Sequence, residues 1–542
     1  SLEVLNTAAA VVTPEIVEEP QILEETAPAA QEQSITRRVP AAVLRPRLDL
    51  CRESGLKLDA NSRVLLVGDP GKPMETLARK LRARKVQVLT LAPLALLGDP
   101  QEMLKELLAG GPIQGVYFLG DLNPQESLLS MSFETWQAEV EQRSESLYHL
   151  FRTLTETSFL VCATRLGGLH AIQSSNGACL GGLVSGFAKA LAQERPQMLV
   201  KVVDFETNLT AATLAEHLIA ETLADSGCVE IGWKDGLRYG ISLLESPAAS
   251  QPDFDLPTGA VFVVSGGSGG IISPVVLDLA RATQGTFFLL SRTHLPDPAD
   301  PDLLRLKTDR QALLADVMQR LTAEGKKATP ALAEQKLAAL ERAAATLETL
   351  TALQAAGAQA HYLVCDVTRP ESVQAAVKQI SVISDRVDVF IHAAGMERSR
   401  RLDSKPLDEF KQTIAVKAHG FFNLFKTLQQ ANLQPRALVF FGSVAGRFGN
   451  AGQVDYAAAN DLLNKIAAAL QHEHPAIKTV SIDWGAWAEV GMASRGHIPE
   501  LMKLAGIEMI SPAAGAPLVR AELLTGGGEV VLAGALGALE GA

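Results

Sequence analysis

Short runs of apolar residues recur along this chain of 542 residues and alternate with stretches of helical periodicity. Strands that alternate with helices in this way are typical of a parallel β-sheet covered by helices. In a first region, of about residues 41–255, the sequence predicts strands at 63–67, 86–90, 115–119, 158–162 and 199–203. In a second region, residues 256–542, it predicts strands at 260–264, 286–290, 360–364, 387–391, 438–441, 479–482 and 529–532. We therefore expect an α/β fold built from two similar regions in tandem.

Two further segments have a different character. Residues 1–40 are rich in Ala, Glu, Pro and Val without a sustained apolar period, which predicts an inter-domain linker. Residues 300–356 are rich in Ala, Leu, Glu and Lys with a helical period, and they interrupt the second region between its second and third strands. This helical insertion is either an amphipathic element packed on the surface or a docking or dimerisation element.

Composition excludes several classes of protein. The net charge of −12 argues against a nucleic-acid-binding surface. The sequence has no apolar run of membrane-spanning length, so we expect no membrane span. The five cysteines are scattered and none lies at metal-binding spacing to another ligand, which favours reduced thiols in the cytoplasm and predicts no metal site.

A glycine-rich loop follows the first strand of the second region and opens a helical pattern. Its residues are Ser265, Gly266, Gly267, Ser268, Gly269, Gly270 and Ile271. Glycines allow a sharp turn and a close approach of the backbone to a pyrophosphate, and the helix that follows directs free N–H groups toward that anion. A glycine loop alone is a weak signal, because many turns look alike. Its place between a strand and a helix makes it a candidate dinucleotide site.

The next strands end in residues that suit the rest of such a cofactor. Ser291 and Arg292 end the second strand, where an arginine suits the extra phosphate of NADP and an acid would suit NAD. Asp366 and Val367 follow the third strand, where a carboxylate can accept from an adenine amino group. The segment that ends the fourth strand allows the chain to pass closely beneath a ribose: His392, Ala393, Ala394 and Gly395.

A constellation of proton-handling groups follows. Tyr456 and Asn460 are one helical turn apart, and Ser443 ends a buried strand just before them. Lys417 lies upstream on a helical pattern, with Lys411 and Lys426 as alternatives. A lysine ammonium that lowers the pKa of the phenol would prepare it to protonate a carbonyl while hydride reaches the carbon.

Each group has a defined part in that reaction. The Ser443 hydroxyl would hold the same oxygen, and Asn460 would hold a water that reconnects the lysine to solvent. Taken singly, each of these residues could be an ordinary packing or turn residue. Together, after a glycine loop, they predict a hydride-transfer enzyme.

With these residues in place, the chain resembles the ketoreductase of polyketide synthases, within the short-chain dehydrogenase/reductase superfamily. The motifs that carry the resemblance are residues 441–446, 456–460 and 483–487, with residues 181–194 similar to a helix of the family's non-catalytic half. The resemblance implies two Rossmann-like, doubly wound parallel sheets. The first is a truncated, non-catalytic structural half at 41–255, and the second is a catalytic half at 256–542.

The resemblance also implies a function. Ser443 and Tyr456 would be the catalytic hydroxyls, with Lys417 and Asn460 in the lysine and asparagine positions, NADPH as cofactor, and a β-ketoacyl chain on an acyl carrier protein as substrate. Neighbouring synthase domains are implied as partners. Ile272 and the helical insertion are closer to the polyunsaturated fatty acid synthase subgroup. Residues 396–399 and Phe448 match neither fingerprint of product configuration.

Two rival interpretations remain open. One is a free-standing NADP-dependent reductase of a small ketone, and the other is a non-catalytic scaffold that binds nucleotide. We also expect a mobile lid at residues 488–504, because Gly491, Gly496 and Pro499 suit one, with Met492 influencing chain-length preference.

Overall fold

The computed structural model describes residues 35–172, 176–267, 269–325, 329–491 and 498–537. Within these residues, fifteen strands form one large sheet that is mostly parallel, with helices on both faces. The predicted α/β class is therefore confirmed.

The strands and helices alternate along most of the chain. The first described strand is β1 (Thr36–Leu44). We define the first half by the seven strands that follow it: β2 (Arg63–Val67), β3 (Gln87–Leu91), β4 (Gly115–Asp121), β5 (Phe159–Thr164), β6 (Leu199–Phe205), β7 (Glu230–Lys234) and β8 (Leu237–Glu245). The strands of the second half are β9 (Val261–Ser265), β10 (Thr286–Ser291), β11 (Gln359–Val364), β12 (Val389–His392), β13 (Ala437–Ser443), β14 (Lys478–Trp484) and β15 (Gly528–Ala533).

The α-helices follow the same division. Those of the first half are α1 (Lys72–Ala83), α2 (Pro100–Ala109), α3 (Phe133–Thr153), α4 (Gly181–Glu194) and α5 (Ala211–Leu223). Those of the second half are α6 (Ile272–Thr283), α7 (Pro301–Thr308), α8 (Arg310–Ala323), α9 (Pro330–Ala355), α10 (Pro370–Ile383), α11 (Leu407–Gln430), α12 (Val444–Phe448), α13 (Val454–Glu473), α14 (Ile498–Leu504) and α15 (Pro512–Thr525).

The second half has the strand order of a doubly wound sheet. Its order is β11-β10-β9-β12-β13-β14-β15, with every neighbouring pair parallel. Strands β9 to β11 are added toward one side of the sheet and β12 to β15 toward the other, so the strand order reverses between β9 and β12. Ligands of open α/β sheets bind beside such a reversal, at the carboxyl ends of the strands. The first half repeats the arrangement as β3-β2-β4-β5-β6-β7, and its described residues contain no strand in the place of β11.

Strand β1 joins the two halves edge to edge. It pairs antiparallel with β15 on one side and with β8 on the other, so the two expected sheets are continuous. The expected linker at 1–40 therefore ends too late, because residues 36–40 already belong to a strand, and residues 1–34 lie outside the described residues. Two arginines and Pro40 give this segment a weak strand pattern in the sequence. It forms a strand because it pairs with a neighbour on each side.

The pairing also fixes the relative direction of the halves. Strands β15 and β8 both run opposite to β1, and β8 runs opposite to β7. The parallel strands of one half therefore run opposite to those of the other. Their carboxyl ends lie at opposite edges of the sheet, so the second half alone supplies strand ends to the edge described below.

Helices α4 and α13 pack closely where the halves meet. Gly182 of α4 lies against the backbone of Asp461, and a Cβ at this position would come within 2.7 Å of the Asp461 carbonyl oxygen. Beside them, Trp136 of α3 stacks on Phe422 of α11, with ring centroids 4.6 Å apart. Glycine at such a contact allows two helix backbones to approach, which gives the halves a rigid interface.

The helical insertion consists of α7, α8 and α9, with an apolar cluster of its own around Leu313, Leu321 and Leu337. It also contacts the second half, since the Ser273 hydroxyl of α6 hydrogen-bonds Thr349 of α9 at 2.7 Å. The insertion is therefore packed on the surface of the second half, as the first of the two alternatives expects. A docking or dimerisation role stays a prediction. No helix within the described residues has the length and apolar composition needed to cross a membrane.

Candidate active site

The predicted site residues of the second half converge at one edge of the sheet. Strands β9, β10, β11, β12 and β13 are parallel, and their carboxyl ends carry Ser265, Ser291, Asp366, His392 and Ser443. The reversal between β9 and β12 lies within this set. The edge thus has the position that the fold provides for a ligand.

Ser443 is the last residue of β13 and the N-cap of α12, where its hydroxyl accepts from the Ala445 N–H at 3.2 Å. Its own backbone N–H donates to Oδ1 of Asp483 at 2.9 Å. Gly442 is required here, because a Cβ would overlap the Asp483 carboxylate. The sequence analysis assigned no support role to Asp483. The sequence signal that could have indicated this role is an acidic residue near the carboxyl end of an apolar strand, β14, which pairs with β13.

Tyr456 is buried in the first turn of α13, with 9% of its surface exposed. Burial raises the pKa of the phenol to about 12, while hydrogen bonding from Ser443 acts in the opposite direction. The expected lowering of this pKa is not seen, because burial raises it by more than the favourable contacts lower it. A stabilising effect of Lys417 on the phenolate stays a prediction. The phenol is protonated at neutral pH, and this is the form that can donate a proton.

Lys417 lies on α11 with its ammonium 5.8 Å from the centre of the Tyr456 ring. The ammonium donates to the Phe441 carbonyl at 2.7 Å, and burial lowers the pKa of Lys417 to about 8. The other two candidates point elsewhere: Lys411 pairs with a carboxylate of α3, and Lys426 donates to a carbonyl of the first half. Of the three lysines, Lys417 is the one beside the phenol.

Asn460 is fully buried one turn after Tyr456 on α13. Its Nδ2 donates to the Tyr456 carbonyl at 2.7 Å, and its Oδ1 has no hydrogen-bond partner among the described residues. A buried amide oxygen without a partner is costly and suits an ordered water. This geometry is consistent with the predicted water site, which stays a prediction.

The glycine loop begins with a strained turn that requires glycine. Gly266 has φ 73°, and its N–H donates to the Leu290 carbonyl at 3.0 Å. A Cβ at this position would lie 2.8 Å from the Ala393 carbonyl oxygen, so the loop packs against the segment after β12. Of the other predicted loop residues, Gly267, Gly269, Gly270 and Ile271 lie in the same turn, and Ser268 lies outside the described residues.

Helix α6 starts directly after this loop, and no side chain of the described residues caps its first turn. The uncapped N–H groups and the positive end of the helix dipole are what a pyrophosphate requires. The loop therefore fits a dinucleotide by its backbone alone.

The residues expected around the adenosine are placed at the neighbouring strand ends. Arg292 is exposed directly after Ser291, the last residue of β10. Asp366 follows β11, and its Oδ1 accepts from the backbone and hydroxyl of Thr368 at 3.0 and 2.7 Å, which fixes the turn. Val367 is buried behind it.

His392 has a structural task that the sequence analysis missed. Its Nδ1 hydrogen-bonds the Ser265 hydroxyl at 2.8 Å, and its Nε2 hydrogen-bonds the Lys417 carbonyl at 3.0 Å. Burial lowers the pKa of His392 to about 3, so the ring is neutral. The same Ser265 hydroxyl accepts from the Ala394 N–H at 3.3 Å. The imidazole thus ties the glycine loop to the helix that carries the lysine.

A buried group of charges extends from the first half to this site. Lys189 of α4 pairs with Asp461 of α13 at 3.0 Å and with Glu230 of β7 at 3.3 Å. Arg447 of α12 pairs with Glu230 and, at 3.1 Å, with Glu529 of β15. Charges of the first half therefore hold both α12, which follows Ser443, and α13, which carries Tyr456.

A hydroxyl, a protonated phenol and a lysine lie beside a glycine loop at the carboxyl edge of a doubly wound sheet. Together they define a nucleotide-dependent reductase of the short-chain dehydrogenase/reductase type. Residues 260–489 match the family model described as the KR domain. The match includes every residue predicted for the candidate site.

Comparison with curated proteins gives relatives of the same kind. One subunit of the polyunsaturated fatty acid synthase of Thraustochytrium sp. (strain ATCC 26185 / S-3) is 29% identical over 372 residues, which are 66% of this chain and 13% of that protein. Polyketide synthase PksN of Bacillus subtilis (strain 168) is 23% identical over 358 residues, which are 64% of this chain and 6% of that protein. The chain thus spans a small part of these multidomain synthases.

Solved structures share the whole fold. A structure described as A-type ketoreductases from a modular polyketide synthase has a TM-score of 0.67 at 18% identity, covering 92% of this chain and 93% of that one. A ketoreductase domain from the bacillaene assembly line has a TM-score of 0.63 at 16% identity, covering 93% and 98%. The pair of joined halves is therefore a fold that these structures share.

Proposed function

We propose that this chain is the ketoreductase unit of a multidomain polyketide or polyunsaturated fatty acid synthase. In this proposal it reduces the keto group of a carrier-bound β-ketoacyl thioester to a hydroxyl with NADPH. The observation that supports this best is the buried, protonated Tyr456, which lies with the Lys417 ammonium 5.8 Å from its ring centre at the ligand edge of the second half. The KR match over residues 260–489 supports the same reaction class.

The side chains divide the reaction between them. A nicotinamide cofactor held by the glycine loop would supply the hydride for the keto carbon. Tyr456 donates its proton to the carbonyl oxygen, so that the C=O bond becomes a CH–OH group. The Ser443 hydroxyl donates a hydrogen bond to the same oxygen and stabilises its developing charge. Lys417 stabilises the phenolate that remains, and the proton returns through the water predicted at Asn460.

Three features of the second half support NADPH as the cofactor in this proposal. Gly266 and the uncapped start of α6 would receive the pyrophosphate, with Ser265, Gly267, Gly269, Gly270 and Ile271 beside them. Arg292 is exposed after β10, and its guanidinium would pair with the 2′-phosphate. The Asp366 turn and the segment from His392 to Gly395 border the adenosine and the ribose.

The partners follow from the same proposal. An acyl carrier protein bearing a phosphopantetheine-linked chain delivers the substrate, and neighbouring synthase domains and a cytoplasmic setting belong to this context. The lid proposed at 488–504 includes α14, whose residues Leu501 and Leu504 expose their side chains. Gly491 packs against Ile271 of the glycine loop, and this contact supports a position for the start of the segment beside the proposed cofactor site. Met492 and Gly496 lie outside the described residues.

The replacement Tyr456→Phe tests the proposal. NADPH oxidation with a β-ketoacyl thioester should fall by a factor of about 10² to 10⁴, the usual contribution of a general acid. NADPH binding, measured by fluorescence titration, should not change. Equal rates for the two proteins would favour the scaffold alternative. Reduction of small ketones without preference for the carrier-linked thioester would favour the free-standing reductase.

A further inference from the structure

Glu194 is the last residue of α4 and belongs to the first half, yet its carboxylate contacts the second half. It is 4% exposed. Oε1 accepts from the backbone N–H of Gly452 at 2.9 Å, and Oε2 accepts from the backbone N–H of Leu402 at 2.9 Å. These amides are 258 and 208 residues away in sequence. One carboxylate thus joins two segments that are distant from it and from each other.

Both segments border the candidate active site. Gly452 lies four residues before Tyr456, in the turn that leads into α13. Leu402 ends the segment that leaves Gly395 at the carboxyl end of β12. The two segments also contact each other directly, since the Arg400 N–H donates to the Gly452 carbonyl at 2.9 Å. Glu194 therefore fixes the entry of the tyrosine helix relative to one wall of the site.

Further contacts hold the same place. The Arg401 guanidinium donates to the Glu194 carbonyl at 2.5 Å. Gly449 has φ 76° and lies against the backbone of Lys189, so that any side chain at this position would overlap α4. The turn from Gly449 to Gly452 lies directly on the end of α4. Its position is set by the first half and not by the second half alone.

The second half contains a glutamate that corresponds to Glu194 in position but contacts different segments. Glu473 ends α13 as Glu194 ends α4, and each is followed two residues later by a proline. Its Oε2 accepts from the Ser127 hydroxyl at 2.8 Å, and Gly177 lies against its other oxygen. Ser127 and Gly177 belong to the first half. Because the two halves run in opposite directions, Glu473 holds segments at the edge opposite to the reductase site.

We propose that Glu194 is a positioning residue for the reductase site, supplied by the non-catalytic half. By accepting two backbone N–H groups it sets the distance between the turn before Tyr456 and the segment before Leu402. Hydrogen bonds to a carboxylate are stronger than those between neutral groups, which makes this link stiff. The proposal rests on the ketoreductase function proposed above.

The test compares three variants of the full chain. Glu194→Ala removes both acceptors, and kcat for a β-ketoacyl thioester should fall by a factor between about 10 and 100, as expected for a small displacement of a catalytic group. The NADPH Kd should stay within about twofold, because the glycine loop is held by other contacts. Glu194→Gln keeps one acceptor oxygen and should recover part of kcat. Glu473→Ala is the matched control. It should keep kcat within about twofold of wild type, even if its Tm falls as much as that of Glu194→Ala.

Hydrogen exchange provides a readout that does not depend on turnover. The amides of Leu402 and Gly452 should both exchange faster in Glu194→Ala, one of the two should do so in Glu194→Gln, and neither should change in Glu473→Ala. Unchanged exchange at both amides in the Glu194 variants overturns the proposal, as does an equal loss of kcat in Glu194→Ala and Glu473→Ala. If wild type lacks ketoreductase activity, the proposed function fails, and exchange at the two amides still decides whether Glu194 holds these segments.

Discussion

Asp483 accepts a hydrogen bond from the backbone N–H of Ser443 at 2.9 Å, across the neighbouring strands β13 and β14. Its second oxygen accepts from the Asn464 side chain of α13 at 2.8 Å. Asp483 is fully buried. A single carboxylate therefore links the strand that carries the serine to the helix that carries the tyrosine.

Replacing Asp483 should destabilise this junction. Asp483→Ala leaves two buried N–H donors without acceptors, and we expect a loss of about 2 kcal/mol or more in the free energy of unfolding. Asp483→Asn keeps one acceptor oxygen and should lose less. Urea unfolding of the three proteins, with kcat measured in parallel, checks this. Equal stability of Asp483→Ala and wild type would show that these hydrogen bonds contribute nothing net.

Lys417 should make stability depend on pH in a defined direction. Burial lowers its pKa from 10.5 to about 8. Between these values the unfolded chain holds a proton that the folded chain has released, so stability rises with pH across this window. The free energy of unfolding of wild type, minus that of Lys417→Met, should therefore increase by about 3 kcal/mol across it. Urea unfolding from neutral to alkaline pH measures the difference, and a constant difference contradicts the lowered pKa.

The glycine loop should not tolerate a side chain at its first turn. Gly266→Ala places a Cβ against the Ala393 carbonyl at a residue with φ 73°, and we expect NADPH binding to weaken by a factor of about 10 or more. Gly259→Ala is the control, because Gly259 has φ 74° and open space around it. It shares the backbone strain without the overlap. Fluorescence titration with NADPH compares the two, and equal binding would place the pyrophosphate elsewhere.

Arg292 should decide between the two nicotinamide cofactors. Arg292→Ala removes a cation for the 2′-phosphate, and we expect the KM for NADPH to rise by a factor of about 10, while the KM for NADH changes less than twofold. NADH is the internal control because it has no 2′-phosphate. Steady-state kinetics with both cofactors measures the ratio. A similar rise for both would mean that Arg292 supports the loop and does not contact the phosphate.

The sequence predicts the parts of this site that depend on local spacing. Tyr456 and Asn460 are four residues apart on one helix, and Ser443 follows a run of buried strand residues, so their arrangement can be inferred without long-range contacts. The twelve strands read from apolar runs are present, with ends that differ by at most a few residues. The short hairpin of β7 and β8 was missed, although its turn at Asp235 and Gly236 is a recognised hairpin signal.

What could not be predicted depends on distant partners. Strand β1 contains arginines and a proline, and its structure follows from pairing with β8 and β15, far away in sequence. Glu194 resembles a solvated acid at a helix end until its partner amides are known. The raised pKa of Tyr456 follows from burial, which spacing alone does not reveal.

The pairing of Thr36 with Ala533 brings the first and last strands of the described residues to one place in the middle of the sheet. The chain therefore enters the sheet with β1 and leaves it with β15 at adjacent points. A linker from Ala533 to Thr36 would therefore need to bridge only the gap between two hydrogen-bonded strands.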